Sequence, residues 1–469
     1  MNPRSHCRLW TRRDWLGSTA SGLTALGLPM VVPSASVWGY EANERLAAAL
    51  VGVSGRGEWF VQTIPTIGAK VVALCDANAR RAAAAFAKFP DVPKFSDFRR
   101  MLDAEGSRID AVVIAVPDHN HAVIANTAIR LGKHVYCEKP LTHDVREARI
   151  LRLNAAHYGV VTQMGNQGTA TDAFREGVEW IQSGRLGAVK EVYVWKDSGG
   201  AGPRPLPQGR GAPPDELNWD VWLGPASDRP FDNEWLQWHT WRDFATGNLG
   251  NWGSHSANMA FMGLRLETLW QDGGASSPIV VRAEVGSPPG PTHPRWEIVE
   301  WRVPAREDLP PVAFRWFNGA GSPGQREHVE SLMGKKLDWG DAGAKKWDDH
   351  AGCLIVGERA MIHATGHNSS YVLLPEEAAK TLERPAPTLP RHGSHEREWV
   401  QACKGGRRPM SHFGYSGLLT EFLMLGNVAT LFPERELEYD PISGRIRNDV
   451  DADAALLREY RAGWQLEET

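Results

Sequence analysis

Short continuous apolar runs dominate the first third of the chain, each ended by a turn and followed by a helix-length stretch. Residues 45–51, Arg-Leu-Ala-Ala-Ala-Leu-Val, form the first run and stop at Gly52. A run that is short and apolar on both faces reads as a buried parallel strand. The pattern recurs at 70–76, 109–116, 134–137 and 160–165. Between these runs, 58–67, 77–88, 95–103, 122–132 and 144–158 carry helical patterning, with Ser96 as the expected cap of the third. Strands alternating with helices predict an α/β domain, a doubly wound parallel sheet of the Rossmann type over residues 45–165.

Beyond that point the pattern is less regular. Residues 171–183 read as a helix, 189–196 as a strand, and 198–214 as a Gly-, Pro- and Arg-rich loop. Strands are expected at 279–285, 296–303, 312–317, 352–356 and 360–363, and helices at 395–402, 417–431 and 455–464. Residues 166–469 therefore form an α+β region.

The first 40 residues read as a targeting segment, not as fold. Thr11-Arg12-Arg13-Asp14-Trp15-Leu16 is a twin-arginine pattern, followed by a weakly apolar stretch over 16–32. That stretch is too short and too polar for a membrane span, so no stable membrane insertion is expected once the signal is removed. The expectation is export to the periplasm by the route that carries folded, cofactor-loaded proteins.

Composition narrows the function class. A chain of 469 residues is too long for a single core. Lys and Arg number 52 against 56 Asp and Glu, which argues against a nucleic-acid partner. The five Cys show no metal-like or CxxC spacing, and no His/Cys/Asp/Glu group has convincing ligand spacing, so no metal is expected. His392 and His395 flank a helix start and read as capping residues. The 20 Trp leave two readings open: core packing, or aromatic platforms on which a sugar face stacks.

Chemistry enters at the first turn. Gly52-Val53-Ser54-Gly55-Arg56-Gly57 lies between a strand and a helix, where a dinucleotide pyrophosphate is cradled. Ser54 stands where the fingerprint has its middle glycine. Asp76 closes the second strand nineteen positions after Gly57, the place of a carboxylate that accepts from the adenosine ribose. It favours NAD over NADP, with Arg80 and Arg81 nearby to soften the preference. The loop Pro117-Asp118-His119-Asn120-His121 follows the third strand, at the sheet edge where ligands bind. Pro117, His119 and His121 are expected to line the cofactor.

Cys137-Glu138-Lys139-Pro140-Leu141, after Gly132-Lys133-His134-Val135, resembles the signature of the Gfo/Idh/MocA oxidoreductases, the relatives of glucose-fructose oxidoreductase and inositol dehydrogenase. Residues 217–225 resemble a segment of exported bacterial members. The resemblance implies a second domain with a large open antiparallel sheet, used for dimer contacts, and hence a homo-oligomer. It places Glu138 and Lys139 at the cofactor, with Lys139 reaching the substrate hydroxyl. It also implies a helix with Asp and His four residues apart, in the pattern Gly-x-x-x-Asp-x-Gly-x-His. Gly247, Asn251, Gly253 and His255 fill those places. His255 takes the position of the catalytic base, and Asn251 replaces the usual Asp. An amide supports an imidazolium less than a carboxylate does, so His255 is expected to be a weaker base.

The catalytic set is therefore Lys139, Asn251 and His255, with Asn166, Trp241, Trp252 and His255 toward the substrate. The expected activity is hydride transfer between a tightly held NAD, or NADP, and a sugar or polyol hydroxyl. Two alternatives stand beside it: a redox-neutral NAD-dependent glycosidase, and a dinucleotide- or sugar-binding protein without turnover.

Overall fold

Six parallel strands make the first sheet, in the order β3-β2-β1-β4-β5-β6. They are β1 (Leu46–Val51), β2 (Ala69–Cys75), β3 (Lys94–Phe95), β4 (Ala111–Ile114), β5 (His134–Glu138) and β6 (Thr162–Gly165). The computed structural model describes residues 45–274, 277–339, 347–391 and 393–468; the twin-arginine segment and His392 lie outside them. β1 is buried along its whole length between β2 and β4. The order reverses there, and a cleft opens beyond the carboxyl ends of β1 and β4, the switch point of a doubly wound sheet.

The second sheet has nine strands, in the order β13-β12-β11-β7-β10-β9-β8-β14-β15. These are β7 (Val189–Lys196), β8 (Ile279–Val285), β9 (Glu297–Val303), β10 (Val312–Asn318), β11 (Ala351–Gly357), β12 (Met361–Thr365), β13 (Tyr371–Leu374), β14 (Leu437–Asp440) and β15 (Arg445–Ile446). Every pair is antiparallel except β7 with β10. β9 shows why one face is covered: its residues alternate buried and half-buried or exposed along Glu297–Val303. On the inner face Trp301 stacks on Phe422 with centroids 4.9 Å apart. Phe422 belongs to the helix Phe413–Ala429, which is buried nearly all round and also packs on the helix Val145–Tyr158 of the first sheet. The core thus runs without a break from one sheet to the other.

Two expected elements differ. Ser96 does not cap the third helix. Lys94 and Phe95 pair with β2 as β3, and Asp97 caps the helix Phe98–Glu105, its carboxylate accepting from Arg99 N at 2.9 Å. The terminal helix expected at 455–464 is absent. The helix is Val450–Ala454, capped by Asp449, and the segment after it is pinned by side chains: Arg458 Nε donates to Asp144 and Arg461 Nη1 to Asp220.

Candidate active site

The glycine turn fits only glycine at its two ends. Gly52 has φ +78°, and a Cβ there would run into the Ala115 carbonyl of the next strand's exit; a Cβ on Gly57 would run into the Gly52 carbonyl. Ser54 turns its hydroxyl away toward Asp76. Asp76 Oδ2 accepts from Val53 N at 3.0 Å and from Ser54 Oγ at 3.3 Å, while Oδ1 accepts from Asn78 N at 2.9 Å. Burial raises the Asp76 pKa, and those hydrogen bonds oppose the rise.

The cleft holds roughly 460 Å³. It is lined by Gly52, Ser54, Gly55, Arg56 and Asp76 from the glycine turn and the end of β2, by Pro117, Asp118, Glu138 and Lys139 from the exits of β4 and β5, and by Trp238, His239 and Asn251 from the second region. Arg56 Nε donates to Glu138 Oε1 at 2.9 Å, and Gln167 Nε2 donates to the same oxygen at 3.1 Å. Glu138 thereby ties the glycine turn to the Glu-Lys-Pro segment.

Asp118 fixes the helix that carries the opposite wall. Its carboxylate accepts from Thr246 N at 3.0 Å and Thr246 Oγ1 at 2.7 Å, just before the helix Gly247–Ser256. That helix brings Asn251 and His255 to one face. Lys139 Nζ donates to Asn251 Oδ1. Burial lowers the Lys139 pKa; Glu138 and Asp118 resist this, and Arg56 adds to it. His255 is 4% exposed, and its Nδ1 has no hydrogen-bond partner. Burial holds its pKa well below the usual range, with Lys139, His367, Arg56 and His395 adding to the shift. Asn251 therefore pairs with Lys139 and not with His255, contrary to the expected coupling.

Four expected contacts lie elsewhere. His119 is fully buried, its Nε2 facing the Trp222 carbonyl at 2.9 Å and its ring packed on Phe244. His121 is buried with Nδ1 at 2.7 Å from the Pro140 carbonyl and Nε2 at 2.9 Å from that of Val116, so it clamps the two loops together. Asn166 is buried, donating to the Ser254 carbonyl at 3.3 Å and accepting from Ser411 Oγ. Trp241 is buried against Trp235 and donates Nε1 to the Glu234 carbonyl at 2.9 Å. None of the four lines the cleft, and neither do His255 and Trp252, which lie behind Asn251 on the same helix. The capping role expected of His395 falls to Ser394; His395 is buried, its Nε2 2.8 Å from the Met164 carbonyl.

The tryptophans divide between packing and the cleft wall. Trp235 and Trp241 form a small core with Phe244, whereas Trp222 and Trp238 line the cleft. Trp252 is half-buried beside His255 and His367, at centroid distances of 6.4 and 5.1 Å. Sequence reasoning missed two imidazoles. His239 stands over the cleft within the fields of Asp118 and Lys139. The His367 ring lies 4.6 Å from that of His255, centroid to centroid. Among the described residues no group of His, Cys, Asp and Glu could hold a metal ion.

Residues 46–166 match the Gfo/Idh/MocA family model, described as an oxidoreductase family with an NAD-binding Rossmann fold. This segment has the NAD-binding Rossmann fold that the family model describes. Over 145 residues the chain is 38% identical to an inositol 2-dehydrogenase of Leifsonia xyli subsp. xyli, covering 30% of this chain and 42% of that protein. It is 32% identical over 120 residues to a levoglucosan dehydrogenase of Pseudarthrobacter phenanthrenivorans, covering 26% and 30%. The match spans less than half the length of these curated relatives. The fold likeness is wider. The WlbA dehydrogenase from Bordetella pertussis, solved with NADH and UDP-GlcNAcA, aligns over 84% of this chain and 98% of its own at a TM-score of 0.54 and 17% identity. An inositol dehydrogenase homologue from Azotobacter vinelandii, solved with NADH and myo-inositol, aligns over 84% and 98% at 0.51 and 16%.

Proposed function

We propose that the protein is an NAD-dependent oxidoreductase acting on a hydroxyl of a sugar or polyol. One observation carries the reading: Lys139 and Asn251 meet in the wall of the cleft that the glycine turn also lines, and His255, one turn further along the same helix, lies buried beside them within the field of Lys139. The residues present fit a dinucleotide. The turn admits no side chain at Gly52 or Gly57, and Asp76 stands at the ribose position. When bound, the cofactor supplies the carbon that takes or returns hydride.

The chain's own groups bind, orient and move the proton. Lys139 Nζ, held by Asn251, is placed to hydrogen-bond the substrate oxygen. A neutral His255, kept so by burial, takes the hydroxyl proton as the carbinol becomes a carbonyl. Trp252 offers an indole beside the two imidazoles for the apolar face of a ring sugar. NAD is preferred over NADP because the Asp76 carboxylate repels a 2′-phosphate.

The Thr11–Leu16 pattern supports export to the periplasm, where the cofactor must remain bound between turnovers. The open face of the second sheet, where Glu191, Arg282, Glu300 and Arg315 alternate with apolar neighbours, supports self-association.

Heat release of ligand from the purified protein tests the reading, followed by assay on a panel of polyols, aldoses and p-nitrophenyl glycosides. Retained or added NAD and reduction of it by a polyol or aldose are expected. Glycoside cleavage without net reduction would select the redox-neutral glycosidase instead. A protein that binds no dinucleotide would sink both.

A further inference from the structure

We propose that His367 is the proton exit of this site, carrying the proton from His255 to solvent. The inference rests on His255 acting as the base. Oxidation of a carbinol by NAD breaks the O–H and C–H bonds; the C–H electron pair leaves as hydride and the O–H proton is left over. That proton must leave the imidazole before the next turnover.

His255 has no exit of its own. It is 4% exposed, and Nδ1 is buried without a partner. Charged or titratable groups face it from four other elements: Lys139 after β5, Arg56 in the glycine turn, His395 at the start of the helix His395–Cys403, and His367 in the β12–β13 turn. Lys139 is engaged with Asn251, Arg56 with Glu138, and His395 is buried against the Met164 carbonyl. His367 alone among these touches the His255 ring and also reaches solvent. The rings are tilted by 56° at 4.6 Å, close enough for side-chain rotation to bring a nitrogen of each into hydrogen-bond range.

The turn that carries His367 is built to hold it there. Asn368 is buried in the left-handed region at φ 53°. Its Oδ1 accepts from Met259 N at 3.0 Å, and its Nδ2 donates to the Ser256 carbonyl at 3.3 Å. Ser256 Oγ donates to the Gly366 carbonyl at 2.8 Å. The turn is thereby bolted to the end of the helix that bears His255. From the other side it presses on Gly168, where a Cβ would run into the His367 carbonyl. A loop residue fixed on both flanks has little freedom to leave its neighbour.

The direction of transfer is outward. His255 is buried and His367 beside it is exposed, so a proton handed from one ring to the other passes on to water or buffer.

The test uses the NAD-loaded protein labelled with ¹⁵N-histidine, in which NMR reads exchange of the His255 ring proton with water. His367→Gln keeps polarity without relay, and His367→Phe keeps the ring packing. Both should slow that exchange by about tenfold or more, and added imidazole should restore it. Unchanged exchange in His367→Gln would overturn the proposal, as would slowing in His367→Phe alone, which would assign the ring a hydrogen-bonding role. Failure of His255 as base is a separate result, read from turnover of His255→Gln.

Discussion

Lys139 donates to Asn251, and His255, one turn further along the same helix, stands outside that pairing. The residue that stands where the resemblance implies an Asp therefore acts on the lysine. A carboxylate at 251 would be a counter-charge for a buried ammonium; an amide oxygen is only a dipole. Burial lowers the Lys139 pKa, and the nearby carboxylates of Glu138 and Asp118 offset this only in part. Asn251→Asp should raise it, moving the Lys139 limb of the kcat/KM profile up by about 1 to 3 pH units. A profile identical to that of the parent would show that the two side chains are not coupled in turnover.

Lys139 and His255 have distinct duties in the same step, so removing either should stop turnover without emptying the cleft. Lys139→Ala and His255→Ala should each lower kcat on the order of 10²- to 10⁴-fold. NAD affinity, followed by fluorescence titration, should stay close to that of the parent, because the hydrogen bonds that brace the glycine turn and Asp76 involve neither residue. Near-parental rates in both variants would remove the site assignment.

The first sheet was legible because strands buried on both faces leave continuous apolar runs, and because Gly52, Gly57 and Asp76 answer to a single steric and electrostatic demand. The second sheet was legible where strands are long, as in β9, but not at β13, β14 and β15, which span at most four residues each. His119 and His121 mark the limit of loop reasoning. A polar loop at a strand's carboxyl edge can face a ligand or satisfy neighbouring carbonyls, and the Trp222, Pro140 and Val116 carbonyls decide for the latter. Asn166 and Trp241 stand outside the cleft lining for the same reason: their polar atoms are consumed inside. His367 could not be found by pattern. It comes from a Gly-His-Asn turn more than a hundred residues after His255. Its only sequence signal is Asn368, a residue type suited to the left-handed conformation that turn requires.

Keeping His255 neutral has a cost in acid. Its ordinary pKa is 6.5, and in the folded chain burial holds it well below that value. Below the ordinary value the unfolded chain binds a proton that the folded chain does not, so this stability is lost as pH falls. One such group contributes a slope of about 1.4 kcal/mol per pH unit. His255→Gln should remove it. The stability gap between variant and parent, from urea unfolding, should therefore shift in the variant's favour by about 1 kcal/mol between about pH 6 and pH 5. A gap that does not move with pH would mean that the folded site accepts the proton after all.

Asp76 does two things that a single substitution can separate. Its carboxylate braces the glycine turn through Val53 N and Ser54 Oγ, and its charge stands where a 2′-phosphate would lie. Asp76→Asn keeps an oxygen for the turn and removes the charge. Arg81 lines the same end of the cleft, so a 2′-phosphate would then meet a guanidinium and no carboxylate. The NADP-to-NAD affinity ratio should rise about tenfold or more, equivalent to about 1.4 kcal/mol. NAD binding itself should weaken only modestly, because an amide still hydrogen-bonds a ribose hydroxyl. Asp76→Ala should differ by losing the brace as well, weakening both dinucleotides together. Titration of both cofactors into both variants resolves the two roles. An unchanged ratio in Asp76→Asn would mean that the ribose edge is read by another group, with Asp76 serving only the turn.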